Sequence, residues 1–242
     1  MAQIHRRYWV LFRFASTNSE LLGSKNKLKR FRENEGFVNV TQPLRDDLLN
    51  GAMLQMNWTE VFQNENPMVL ELGCGKGEYT LALARRYPDK NFVGIDIKGA
   101  RLWRGAKTAI EEGLKNVHFL RMSIELIDYA FKPQEVSEIW ITFPDPQIKY
   151  KRTKHRLTNA AFLARYRAIL KLDGLVHLKT DSAFMHGYTI GLLQGMGKEI
   201  VYANHDVYRL GGSPEIVTAV KTFYESQYLE KGVPITYLSF KL

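Results

Sequence analysis

The chain has 242 residues, 45% of them apolar, which is enough for one α/β domain with a buried core and crowded for two. Its 34 Lys plus Arg against 25 Asp plus Glu leave a net charge of +9, which suits a polyanionic partner such as nucleic acid or an anionic membrane face. The single cysteine, Cys74, excludes an internal disulfide framework, and no apolar run approaches the roughly 20 residues of a membrane span.

Arg6 and Arg7 precede an apolar run, Tyr8 to Phe12, that Arg13 cuts too short for a signal-peptide core, so the chain is expected in the cytoplasm. Residues 1–24 carry no sustained periodicity and are expected to form a disordered extension. From Lys25 the cluster KNKLKRFRE opens a basic arm over 25–65, expected to pack partly on the main domain; such a charge run serves either as a solvated face or as an RNA contact. Over 66–242, apolar runs of strand length alternate with helical periods. MVLEL (68–72), NFVGID (91–96), VHFLRM (117–122), EIWITF (138–143) and GLVHLKT (174–180) are the predicted strands. Helices are predicted over 77–87, 101–113, 159–171 and 183–196. This alternation implies right-handed crossovers and a mostly parallel sheet with helices on both faces, whose ligands sit beyond the carboxyl ends of the strands. The tail breaks the pattern, and VPITYLSFKL (233–242) reads as an antiparallel edge strand.

The stretch LELGCGKGEY sets Gly73, Gly75 and Gly77 between the first strand and its helix, where glycine permits a sharp turn and close backbone approach to a ligand. The G-x-G-x-G spacing differs from that of pyrophosphate binders. The acid before it, Glu71, would repel a pyrophosphate but suits a ligand bearing an ammonium and a sulfonium. Asp96 ends the next strand, where a carboxylate can accept both hydroxyls of a ribose, or serve as a helix N-terminal acid. With no Walker lysine present, S-adenosylmethionine fits this set better than NAD or ATP. Cys74 has no adjacent histidine and reads as a filler of a small slot.

The fourth strand runs into FPDPQIKYKRTKHR, residues 143–156. Pro144 and Pro146 stiffen the turn and hold Asp145 at the carboxyl edge of the sheet. These residues, with the glycine loop, RLT (156–158), LKTD (178–181) and TFYE (222–225), give the chain a resemblance to bacterial TrmB-type tRNA (guanine-N7-)-methyltransferases, covering roughly residues 25–242. The resemblance implies a class I, Rossmann-like fold: a mostly parallel seven-stranded sheet with one antiparallel edge strand. It also implies methyl transfer from S-adenosylmethionine to N7 of a guanine in the tRNA variable loop. Glu71, Asp96 and Asp145 would contact the cofactor, Asp145 nearest the reacting centre. Lys149, Asp181 and the quartet Thr222, Phe223, Tyr224 and Glu225 would hold the target nucleotide. Gln147 stands where the family has tryptophan, and Ser123 where an acid ends the third strand, so Ser123 or nearby Glu125 is left to meet the adenine edge.

Guanine N7 carries an in-plane lone pair and attacks a sulfonium methyl without prior deprotonation, so no general base is needed. Alignment and nearby negative charge are what help. Asp145, as the catalytic residue, and Asp181 are expected to supply that field, with Glu225 accepting from the guanine N1 and amino group. Lys151, Arg152, Lys154 and Arg156 are expected to contact RNA phosphates. The expected partner is tRNA, with no metal and no membrane, the chain acting as a monomer or weak homodimer. The alternative is a class I methyltransferase acting on another RNA or on a non-nucleic-acid substrate, although the basic loop and arm offer nothing to a small neutral one.

Overall fold

The computed structural model describes residues 18–50 and 56–242. Of the segment expected to be disordered, residues 1–17 lie outside the described residues, and α1 (Asn18–Glu35) begins within the remainder. A two-residue strand β1 (Val40–Thr41) and two short helices, α2 (Arg45–Leu49) and α3 (Trp58–Phe62), complete the described part of the arm.

Beyond it, β2 (Met68–Leu72), α4 (Glu78–Arg86), β3 (Asn91–Ile95), α5 (Gly99–Glu111) and β4 (Val117–Leu120) follow in turn. Then come α6 (Ile127–Ala130), β5 (Val136–Thr142), α7 (Ala160–Ile169), β6 (Leu170–Thr180) and α8 (Ala183–Gly195). The chain ends with β7 (Ile200–Asn204), α9 (Glu215–Ala219), α10 (Phe223–Glu230) and β8 (Thr236–Phe240).

The eight strands lie in the order β1-β4-β3-β2-β5-β6-β8-β7. The expected seven are joined by β1, which pairs in parallel with β4 through Val40 and Phe119. The final strand β8 is antiparallel to β6, as expected, but it sits one place inside the edge because β7 pairs on its far side. Strand order reverses between β2 and β5, which are parallel neighbours, so the crevice of the fold opens between their carboxyl ends.

Alternation along each strand divides the core between the two faces. Leu70, Leu72, Val93, Ile95, Ile139, Ile141 and Leu178 face one layer, which is closed by α3, α6, α7 and α8. Val69, Phe92, Phe119, Trp140 and Tyr237 face the other, under α4, α5 and α9. Burial on both sides explains why these strands read as unbroken apolar runs. The arm is docked rather than loose where it is described: Asn34 donates to Gly99 O at 2.9 Å, Trp103 Nε1 donates to Glu33 at 2.5 Å, and Arg121 stacks 4.6 Å from the Phe31 ring. Among the described residues, no helix is long and apolar enough to cross a membrane.

Candidate active site

The loop after β2 turns on left-handed glycines at Gly73, Gly75 and Gly77 (φ 77°, 58° and 72°). At Gly77 a side chain is barred twice, since an added Cβ would lie 2.7 Å from the Phe119 ring. At Gly75 nothing lies within 4 Å of such a Cβ, which leaves the backbone open to a ligand. Gly73 and Cys74 donate to Ile95 O at 2.8 and 3.1 Å, tying the loop to the end of β3.

Glu71 lies beneath this loop, 4% exposed. Thr80 donates to its Oε2 through both N–H and hydroxyl, and Thr142 donates to Oε1 at 2.7 Å. Burial outweighs these bonds and pushes its carboxyl up to about 7, with Asp96 adding a smaller push. Asp96, 8% exposed, accepts from Gly75 N at 2.9 Å and Lys98 N at 2.7 Å. Both acids line a cavity of ≈ 480 Å³. Beside it, Ile97, Met122, Ile124, Leu157 and Phe162 form a narrower apolar slot, with Ser123 and Glu125 at its rim and Asp96 shared between the two spaces. Cys74 is buried in the loop, and burial raises its thiol well above the usual range, which disfavours the thiolate.

Across the switch point, β5 delivers Pro144-Asp145-Pro146 to the same cavity. Phe143 and Gln147 bracket this turn in the left-handed region, at φ 49° and 46°, which costs about 1–3 kcal/mol per residue and persists only where the surroundings enforce it. Phe143 N donates to Lys179 O at 2.8 Å, and Gln147 N donates to Asp145 Oδ1 at 3.0 Å. Arg156 supplies the rest: its guanidinium donates to Gln147 O at 3.2 and 3.1 Å and to Ile148 O at 3.2 Å, stacked 4.4 Å from the Tyr188 ring and 4.8 Å from that of Phe184. Arg156 is buried, 5% exposed, and holds the turn through Nε and Nη2. Where an RNA contact was expected from its place in a basic run, the structure puts the Arg156 guanidinium against the turn and two aromatic rings. Lys151, Arg152 and Lys154 are exposed on a 3₁₀ turn, Tyr150–His155, beside an almost fully exposed Tyr150. Lys149, also exposed, heads that turn through Arg152 N to Lys149 O at 2.8 Å and is not part of the cavity wall.

The TFYE quartet divides in two. Thr222 caps α10 and Glu225 closes the capping box, each accepting from the other's backbone N at 3.3 Å. Glu225 is fully buried, with Lys179 Nζ 2.7 Å from its Oε1 and Tyr208 donating at 2.8 Å. Lys179, also fully buried, has its pKa lowered by desolvation, against the pull of Glu225, and gives a further bond to Val220 O at 2.9 Å. Expected to meet a guanine edge, the Glu225 carboxylate is in this structure turned to Lys179, Tyr208 and the start of α10. Phe223 and Tyr224 instead are 55% and 49% exposed, and Tyr224 lines the cavity with Thr222, Tyr228 and the half-buried Asp181. Burial raises the Asp181 carboxyl, opposed by hydrogen bonding from its own backbone and Tyr228. Phe223 N donates to Glu78 at 2.7 Å, which locks α10 to the cofactor-side helix α4.

Thr142, Tyr228 and Lys179 join the site without having been among the expected residues. Lys179 carried a signal, a lysine inside an otherwise apolar strand run, which folds stably only with a buried partner. Among the described residues no group of three or more His, Cys, Asp or Glu is placed to hold a metal.

A family model described as "Putative methyltransferase" matches residues 65–238. A tRNA (guanine-N(7)-)-methyltransferase of Christiangramia forsetii is 67% identical over 223 residues, spanning 91% of this chain and 100% of that one. One of Porphyromonas gingivalis is 49% identical over 194 residues, 80% of this chain and 79% of that one. Among solved structures, the 16S rRNA methyltransferase KamB is similar with a TM-score of 0.59 at 14% identity, covering 78% of this chain and 95% of that chain. At that identity the likeness carries the fold alone.

Proposed function

Because the chain belongs to the tRNA (guanine-N(7)-)-methyltransferase family, we propose that it methylates N7 of a guanine in the variable loop of tRNA, with S-adenosylmethionine as donor. One observation carries this reading. A single cavity joins Glu71 and Asp96 on the cofactor side with Asp145, Asp181, Thr222 and Tyr224 on the other.

The residues suit the donor chemically. Asp96 keeps lone pairs beyond its two backbone bonds for ribose hydroxyls. Glu71, whose carboxyl sits near neutrality, gains ionisation when a cation arrives beside it. The apolar slot with Ser123 and Glu125 matches a purine ring and its polar edge. When bound, S-adenosylmethionine supplies an electrophilic methyl to a nucleophile that has no proton to lose.

Asp145 then acts through its field. Its carboxylate, held by a turn that cannot relax, faces the place where the guanine ring becomes cationic, and it needs no reorganisation as charge develops. Asp181, partly desolvated, adds to that field from the end of β6. Tyr224 and Phe223 present exposed rings suited to stacking a displaced base. The buried Lys179–Glu225 pair keeps these rings in place by fixing the first turn of α10. Lys151, Arg152 and Lys154, with Lys149 at the head of their turn, meet phosphates.

Incubation with labelled S-adenosylmethionine and unmodified tRNA, followed by borohydride and aniline cleavage, tests the reading. Scission at one guanine of the variable loop is expected. Label on another base, or none on tRNA, rejects it.

A further inference from the structure

A second cationic surface opens on the flank of the cavity opposite the Tyr150–His155 turn. Between α1, α4 and α5 runs a groove of ≈ 650 Å³ whose charged walls include Arg30, Lys76, Arg85, Arg101 and Arg104. Lys76 and Arg101 also line the active-site cavity, so the two spaces adjoin. Of the acids, Glu112 takes Arg85 through two bonds of 2.8 and 2.7 Å, and Glu78, the one carboxylate in the groove wall among the described residues, accepts from Phe223 N and is outnumbered by the cations. Among the described residues, Arg30, Lys76, Arg101 and Arg104 have no carboxylate within ion-pair distance. Arg30 is held ready by Trp103, 4.9 Å from the ring centroid.

Four exposed cations gathered along one groove repel one another, and a fold tolerates that where an anion relieves it. The groove follows β2 and β3, whereas the exposed turn follows β5, and β3 and β5 lie on opposite sides of β2. An RNA that places one base in the cavity must carry its backbone away on both sides. We propose that the α1–α4–α5 groove binds RNA phosphates on the side opposite the Tyr150–His155 turn, so that the substrate straddles the switch point. This rests on the RNA-methylating reading above.

The test uses the full-length chain with unmodified tRNA. Arg30→Gln/Arg104→Gln removes two cations that do not line the active-site cavity, and Arg104→Glu alone reverses one of them on an exposed helix surface. Steady-state kinetics and filter binding across salt are read beside wild type, with a thermal shift by S-adenosylmethionine reporting an intact cofactor site. The double variant is expected to raise KM for tRNA about tenfold with kcat within about twofold of wild type. It should also flatten the salt slope by about two, at roughly 0.9 for each phosphate that is no longer neutralised. Arg104→Glu is expected to raise KM by a similar factor. Wild-type KM and salt slope in both variants overturn the proposal, and so does a raised KM with an unchanged slope, because the side chains then act otherwise than on phosphate. If wild type leaves tRNA unmethylated, the activity reading falls, while the salt-slope comparison still decides the groove.

Discussion

The two sides of the switch point are made rigid by different means. On the β2 and β3 side, Glu71 and Asp96 are buried and accept three and two hydrogen bonds. On the β5 and β6 side, Asp145 is exposed and receives one backbone bond, so its position comes from two prolines and two left-handed residues instead. Farther along that side a buried ion pair does for α10 what hydrogen bonds do for the glycine loop. A cofactor that is always the same can be met by buried acids fixed in place by hydrogen bonds. A base that must enter and leave needs groups that stay open to solvent, and backbone constraint can hold such a group without covering it.

Breaking the far side at its ion pair is the severest test. Lys179→Met removes the ion-pair partner of the fully buried Glu225, which costs about 3–5 kcal/mol. Calorimetry should then find Tm lowered by about 6–20 °C, and an unchanged Tm would mean that the pair contributes nothing. Asp145→Ala should lower kcat about 10²- to 10³-fold with Tm and tRNA binding kept, since among the described residues the side chain's one hydrogen bond is from Gln147 N. Wild-type turnover by that variant would leave the acid as a turn former only.

The near side is sharpened by pH. Since Glu71 sits near 7 and favours a cationic ligand when ionised, affinity for S-adenosylmethionine should rise about tenfold between pH 6 and 8, and Glu71→Gln should flatten that rise. The sign for stability is opposite. Between 4.5, the usual carboxylate value, and about 7 the folded chain holds a proton that the unfolded chain has released, so stability falls as pH rises through this window. Thermal scans of Glu71→Gln should therefore show a higher Tm than wild type at pH 8. A matching pH dependence in the variant would locate the titration elsewhere. The smallest effect is expected at Gln147→Gly, which relieves a left-handed residue and should raise Tm by about 2–4 °C with turnover unchanged. Lost activity there would give the Gln147 side chain a role that its backbone contacts do not.

Gln147 also illustrates how far the sequence could be read. A glutamine in place of the family's tryptophan had no account until its N–H and carbonyl emerged as the parts in use, bonded to Asp145 and Arg156. The class I fold was legible because burial on both faces writes unbroken apolar runs, and β2 coincides with MVLEL to the residue. The final strand was placed at the edge because pairing partners leave no local trace, and β7 lies outside it. The TFYE motif reads as one unit in the sequence but divides in the fold, since a capping box and a pair of exposed rings share the same four positions.

Local chemistry was enough for the glycine loop, for the acids closing β2 and β3, and for the proline-flanked Asp145, because turn geometry and strand ends are dictated within a few residues. Whether a charge meets solvent or another side chain is set by residues distant in the chain. Arg156 is buried under Phe184 and Tyr188, and Glu225 is consumed by Lys179 from 46 positions away. Arg30 and Arg104 line one groove for the same reason: α1 packs on α5, a pairing that no local pattern in either helix encodes.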